Sequence, residues 1–141
     1  FYNIITVKRG LSQNKSHGDI LQLLSDEGSI SAKEFIYIVE NQEIFVWFNK
    51  INPSLDSIFS TYELKMQDAT ISSSELEFLC DLLLYKTLDQ GRYNVEGPLV
   101  LARYLLGCEF EVKNLRMIIS ALQNTIPFES IKERIRPHYG S

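Results

Sequence analysis

Histidine, cysteine, proline and glycine are all scarce in this 141-residue chain, with two, two, four and seven copies. So few prolines and glycines exclude a linker-like or low-complexity polypeptide. The two histidines, His17 and His138, read as loop-placed, lie far apart in sequence and speak against a metal centre. Cys80 and Cys108 are also far apart, each inside a helical pattern. They read either as buried free thiols, which fits a reducing compartment, or as one disulfide. Basic residues are in deficit: the formal charge is −4 and the pI near 5.2, which argues against a nucleic acid or an anionic membrane as main partner. No uninterrupted apolar run approaches the ~20 residues a spanning helix needs, so any membrane role is peripheral. Without a signal-peptide pattern, Asn14-Lys15-Ser16 reads as a chance sequon. The chain has no His-Glu-x-x-His, no Cys-x-x-Cys, no phosphate-cradling glycine loop and no nucleophile elbow. These absences lower the odds of catalysis without excluding residues scattered in sequence.

What is present is the composition of an ordinary globular protein, 45% hydrophobic and 23% charged, long enough for a substantial core. Phe1-Tyr2-Asn3-Ile4-Ile5 carries no helix-start signal and reads as the middle of a helix, so the chain is expected to be a piece of a longer protein. Helix punctuation is dense elsewhere. Ser31 and Glu34 match a capping box, and Ile30 and Phe35 sit at the positions of a hydrophobic staple. Asn52-Pro53, Gly97-Pro98 and, with a poorer cap, Ile126-Pro127 place proline at a first helical position. Ser72–Ser74 with Glu75 and Glu77 offers overlapping capping boxes, and Pro137 should end the last helix.

These marks predict helices near 1–10, 17–25, 31–48 (interrupted around Glu40–Gln42), 53–69, 74–90, 98–123 and 127–136. Ile44 to Phe48 could be a short strand by propensity, but no partner strand is evident. The fold class is all-α, a helical bundle.

The segment 98–123 is the most informative. Leu101, Leu105, Cys108, Val112, Leu115, Ile119 and Leu122 follow the alternating 4,3 spacing of a heptad seam. Leu99, Ala102, Leu106, Phe110, Met117 and Ala121 form a second apolar arc on the other side. Apolar on two sides and about 39 Å long, this helix is expected to be a spine covered on both faces. The segment 74–90, with arcs Leu76/Leu79/Leu83 and Phe78/Leu82/Tyr85, is its expected antiparallel neighbour.

The chain also echoes itself at a shift of 111 positions. Asn3 aligns with Asn114, Ile4 with Leu115, Val7 with Ile118, Gly10 with Ala121, Ile20 with Ile131 and Leu24 with Ile135. Two readings stand: chance similarity between amphipathic helix pairs, or a repeat of roughly 110 residues. On the second reading, 1–48 is the remnant of a preceding repeat with its connecting helices. Residues 49–141 then form a C-terminal repeat around the spine helix.

Glu111-Val112-Lys113-Asn114-Leu115-Arg116, then Ile126-Pro127, then Ile131-Lys132-Glu133-Arg134-Ile135, resembles the family of the V/A-type ATPase C subunit, known in the vacuolar enzyme as the d subunit. That family carries a Glu-x-x-Asn-[Ile/Leu]-Arg signature followed by a proline-started helix, with acid-x-x-Asn signatures in earlier repeats. Asn3 would be the remnant of one of these. The specific resemblance covers about 98–137, with weaker support from 1–48. Ala121-Leu122 departs from the Gly-Lys often found after the first signature.

The resemblance implies one repeat and a remnant of a three-domain helical funnel. It also implies a non-catalytic central-stalk subunit of a rotary motor, cytoplasmic and peripheral to the membrane. Its partners would be the rotor axle and the membrane proteolipid ring, with no cofactor and no nucleic acid. The family signature positions are Asn3, Glu111, Asn114, Arg116, Pro127, Glu133 and Arg134.

From the residues alone, Asn114 on its helix reads as a polar pin fixing helix register, with ligand binding the competing reading. Glu111 reads as a cap or ion-pair partner. Arg116 reads as part of a solvated strip or as a contact with another subunit. Phe35, Tyr37, Phe45, Trp47, Phe48, Phe59 and Tyr62 read as core rather than pocket. Two other classes remain beside the coupling subunit: a free-standing α-helical scaffold or regulatory adaptor, and a helical enzyme or small-molecule binder.

Overall fold

The computed structural model describes residues 1–28, 30–51, 56–68, 70–93 and 96–138, the side chains of 56–59 and 61 excepted. Among them the elements are all helical: α1 Tyr2–Ser12, α2 His17–Leu23, α3 Ala32–Glu40, α4 Ile44–Ile51, α5 Asp56–Gln67, α6 Ser73–Asp89, α7 Pro98–Gln123 and α8 Phe128–Lys132. The chain divides into two compact units, Phe1–Glu77 and Phe78–Ser141, with the division falling inside α6.

In the first unit, Ser31 Oγ accepts the Glu34 N–H at 3.4 Å and starts α3. The α3–α4 break falls where expected. Asn41 caps α3, Gln42 adopts a left-handed φ of 61°, and the Glu43 N–H reaches back to the Ile38 carbonyl at 2.9 Å. The strand alternative for 44–48 loses to this reversal. Ile44, Trp47 and Phe48 are buried, a spacing of three and four that suits a helix face. The Trp47 and Phe48 rings join Phe1 and Phe35 in one cluster, with centroids 6.3 Å apart for Phe1–Trp47, 5.7 Å for Phe35–Trp47 and 4.7 Å for Trp47–Phe48. Tyr37, expected in that core, is exposed instead, because it points off the buried Phe35/Ile36/Ile38/Val39 face of α3. The helix start at Asn52-Pro53 and the Phe59 ring lie outside the described residues.

Of the overlapping caps before α6, the structure uses Ser72. Its Oγ accepts the Glu75 N–H at 3.2 Å while the Glu75 carboxylate accepts the Ser72 N–H at 2.9 Å. Glu75 also takes a hydrogen bond from Lys65, the main cause holding its pKa down at about 2; the Ser72 bonds add to it.

In the second unit, α6 and α7 run antiparallel. Asp89 meets Arg103 at 3.1 Å, the Tyr85 and Phe110 rings sit 6.2 Å apart, and Asp81 meets Lys113 at 3.0 Å. Gly97, at φ 113°, turns the chain into Pro98 at the head of α7; a side chain would be strained there.

Three expectations are corrected. The helix predicted over 127–136 stops at Lys132, and Pro127 is its N-cap rather than its first residue. Pro137 does not end it, because the Arg136 backbone is already diverted to another partner, described below. The third concerns α7, which is not covered on both faces. Leu106, Phe110 and Ala121 of one arc are buried, whereas Leu101, Leu105, Val112, Leu115, Ile119 and Leu122 of the heptad seam are exposed, from 46% to 74%.

Candidate functional site

The first unit contains an asparagine whose amide both donates to and accepts from one distant backbone residue. Asn3, near the start of α1, donates from Nδ2 to the Ser25 carbonyl at 2.8 Å and accepts the Ser25 N–H on Oδ1 at 3.0 Å. Between these two residues α1 ends at Gln13, Asn14 turns left-handed at φ 56°, and the Lys15 N–H returns to the Gly10 carbonyl at 3.0 Å. Ser16 then caps α2 by accepting the Asp19 N–H at 3.2 Å. Ile20 of α2 sits so close to Gly10 that a Cβ on the glycine would lie 2.6 Å from Ile20 Cγ1.

The second unit builds the same object. Asn114 Nδ2 donates to the Arg136 carbonyl at 2.9 Å, and Oδ1 accepts the Arg136 N–H at 2.9 Å. In both cases the pinned residue is 22 positions downstream. Here α7 ends at Asn124, Thr125 turns left-handed at φ 53°, and the Ile126 N–H returns to the Ala121 carbonyl at 2.9 Å. Every one of these positions lies at the shift of 111 read from the sequence. A primary amide holds one of its two N–H donors side by side with its acceptor oxygen. It therefore satisfies both polar groups of a peptide that has left its helix, and ties a short helix and its exit strand onto a longer one.

Electrostatics are added to the second clamp. The Arg136 guanidinium reaches Asp81 at 2.6 Å and lies 5.6 Å from the centre of the Phe78 ring. Asp81, itself buried, also receives Lys113 at 3.0 Å, and Lys113 reaches Glu109 at 3.0 Å. Burial pulls the Lys113 pKa down, but its hydrogen bonds to Asp81 and Glu109 outweigh this and hold it above the ordinary lysine value. Arg103 is similarly desolvated, and Tyr85 and Asp89 more than offset the effect. The buried Arg103 and the half-buried Lys113 and Arg136 are thus all paired.

The other signature positions are not gathered here. Glu111 and Arg116 are exposed on α7 and make no hydrogen bond or ion pair among the described residues. Pro127 caps α8, Glu133 follows its last residue, and Arg134 lies exposed in the turn beyond. Sequence reading missed Ser25, Asp81, Lys113 and Arg136. Two of these were recoverable, since Ser25 and Arg136 are themselves related by the shift of 111. Asp81 also carried a signal, as an acid on the apolar arc formed by Phe78, Leu82 and Tyr85.

Two cavities, of about 280 and 220 Å³, lie in the first unit. Trp47 lines both, and its buried indole N–H has no hydrogen-bond partner among the described residues. Neither cavity gathers a nucleophile with a base. Among the described residues no group of His, Cys, Asp or Glu could hold a metal, and no helix is long and apolar enough to cross a membrane.

With this geometry in view, residues 1–134 match the model of the ATP synthase (C/AC39) subunit family. The chain belongs to the ATP synthase (C/AC39) subunit family. It is 29% identical, over 137 residues, to the C subunit of the V-type sodium ATPase of Enterococcus hirae. The aligned region takes in 97% of this chain and 41% of that relative, so the chain spans less than half of the relative's length. No solved structure gives a significant match. The family match takes in both asparagine clamps except for Arg136, which lies two residues past its end.

Proposed function

We propose that the protein serves as a central-stalk coupling subunit of a rotary V/A-type ATPase, transmitting torque between the soluble rotor axle and the membrane proteolipid ring without catalysing a reaction itself. The observation that carries this reading is the family match over residues 1–134. The Asn3 and Asn114 clamps support it physically. A part that carries torque must resist sliding of one helix along another, and a two-bond amide clamp to a backbone peptide opposes that motion. On this reading the two clamps belong to successive repeats of a larger helical funnel, and Asn3, Asn114 and Pro127 are structural members of it. Glu111, Arg116, Glu133 and Arg134, charged and exposed, are its contacts with neighbours.

The test is co-purification of the full-length protein with its complex. The tagged protein should retain both axle and ring through gel filtration and show no nucleotide hydrolysis by itself. A protein that associates with neither, at native expression levels, leaves the scaffold or adaptor reading in its place.

A further inference from the structure

Residues 133–138 leave α8 without forming a further helix, and Arg136 anchors them to α6 and α7 with its whole length. Its backbone N–H and C=O are taken by the Asn114 amide on α7. Its guanidinium is taken by Asp81 on α6 and lies over the Phe78 ring. With this segment in place the Asp81 and Arg136 side chains are each only 11% exposed.

These holds are of a kind that water can replace. Asn114 is half-buried, so on release solvent reaches its amide as well as the freed Arg136 peptide. Asp81 keeps Lys113 at 3.0 Å, and Lys113 keeps Glu109 at 3.0 Å, so losing Arg136 strands no charge. Glu133, Arg134 and Arg136 are themselves charged groups suited to solvent. The short helix stays fastened through Ile131, which is buried. The long helices are held differently. Phe78, Leu79, Leu83, Leu106 and Phe110 are buried on α6 and α7, and exposing them is opposed by the hydrophobic effect. A segment held by polar contacts opens locally, at a free energy below that of global unfolding.

We infer that residues 133–138 form a releasable strap, hinged at the end of α8 and closed by Arg136, which opens and recloses over Phe78, Asp81 and Asn114 while α6 and α7 stay folded. Opening bares the Phe78 ring, the Asp81 carboxylate and the Asn114 amide together, so their exposure becomes a conformational variable. The strap depends on these contacts and not on a place in a rotary motor, so its failure would leave the motor reading standing.

Native-state hydrogen exchange tests it, read by NMR on the isotope-labelled full-length protein at urea concentrations below the unfolding transition. The Arg136 N–H should exchange about a hundredfold more slowly than in an unfolded peptide, at a rate that urea does not change. The Phe110 N–H, inside α7, should exchange at least about tenfold more slowly again and speed up as urea rises. Arg136→Gln keeps a long side chain and removes the charge. It should speed exchange at position 136 by about thirtyfold and leave Phe110 protected far above it. Arg136 and Phe110 amides that share one rate and one urea slope would overturn the inference, because the segment would then open only when its unit unfolds. An Arg136 amide exchanging at the unfolded rate would overturn it too, because the strap would then not close.

Discussion

The α1–α2 and α7–α8 regions are two versions of one device placed in different surroundings. Their backbones agree in detail: the same left-handed residue, the same return hydrogen bond and the same amide clamp 22 residues on. Their side-chain environments do not agree. Ile4 and Val7 of α1 are fully buried, whereas their counterparts on α7 are an exposed Leu115 and a half-buried Ile118. The Asn3 clamp stands beside a cluster of aromatic rings, and the Asn114 clamp is braced by the Asp81–Lys113–Arg136 ion pairs. The loop geometry therefore does not need burial of the long helix. It needs a left-handed corner, an amide at one point, and a buried apolar residue on the short helix, Ile20 or Ile131.

The sharpest way to break this comparison is to remove the charge that only the second region uses. Asp81→Ala takes the carboxylate away from the Arg136 guanidinium and leaves Lys113 with Glu109, and should cost about 3 kcal/mol in urea unfolding of the second region. A loss below about 1 kcal/mol would mean that the ion pairs are incidental to the clamp. Removing the shared element comes next. Asn3→Ala leaves the N–H and C=O of the half-buried Ser25 without the buried amide and should cost about 2–3 kcal/mol. Asn114→Ala, half-buried and open to replacement by water, should cost about 1–2 kcal/mol. Equal losses would show that burial does not distinguish the two sites.

Smaller effects sharpen the contrast at the helix crossing. Gly10→Ala pushes a methyl into Ile20 and should destabilise by about 1–2 kcal/mol. At the equivalent Ala121 a methyl is already accommodated, and Ala121→Gly should cost only about 1 kcal/mol through helix propensity. Melting temperatures of the two variants would measure both.

The smallest change concerns the Ser72–Glu75 box. Because folding depresses the Glu75 pKa from 4.5 to about 2, its contribution is fully present above pH 4.5. It fades as the pH falls towards 2. Glu75→Gln should cost about 1 kcal/mol near neutrality and flatten the acid dependence of stability between those limits. An unchanged acid profile would remove Glu75 from the account.

Much of the architecture was legible in the chain because its signals are local. The Ser31 cap, the reversal near Gln42, the Ser72–Glu75 box and the Gly97-Pro98 start each act within one or two turns, and each is found in the structure. Helix α7 spans the residues expected of it. The recurrence of asparagine at 111 positions was legible for the same reason, and Asn114 is indeed a polar pin. What it pins was not legible, because Arg136 is reached through space, and that capture cuts α8 short of Pro137. Nor could periodicity reveal which apolar arc of α7 is covered.

The sequence by itself determined the all-α class, most helix limits and the twofold echo, since these depend on capping chemistry and on the 3.6- and 3.5-residue periods of neighbouring side chains. Only the tertiary structure decided that one amide serves two backbone groups 22 residues away, that Asp81 collects Lys113 and Arg136, and that the heptad seam stands open. Each of these depends on distances between elements, and a linear pattern does not contain them.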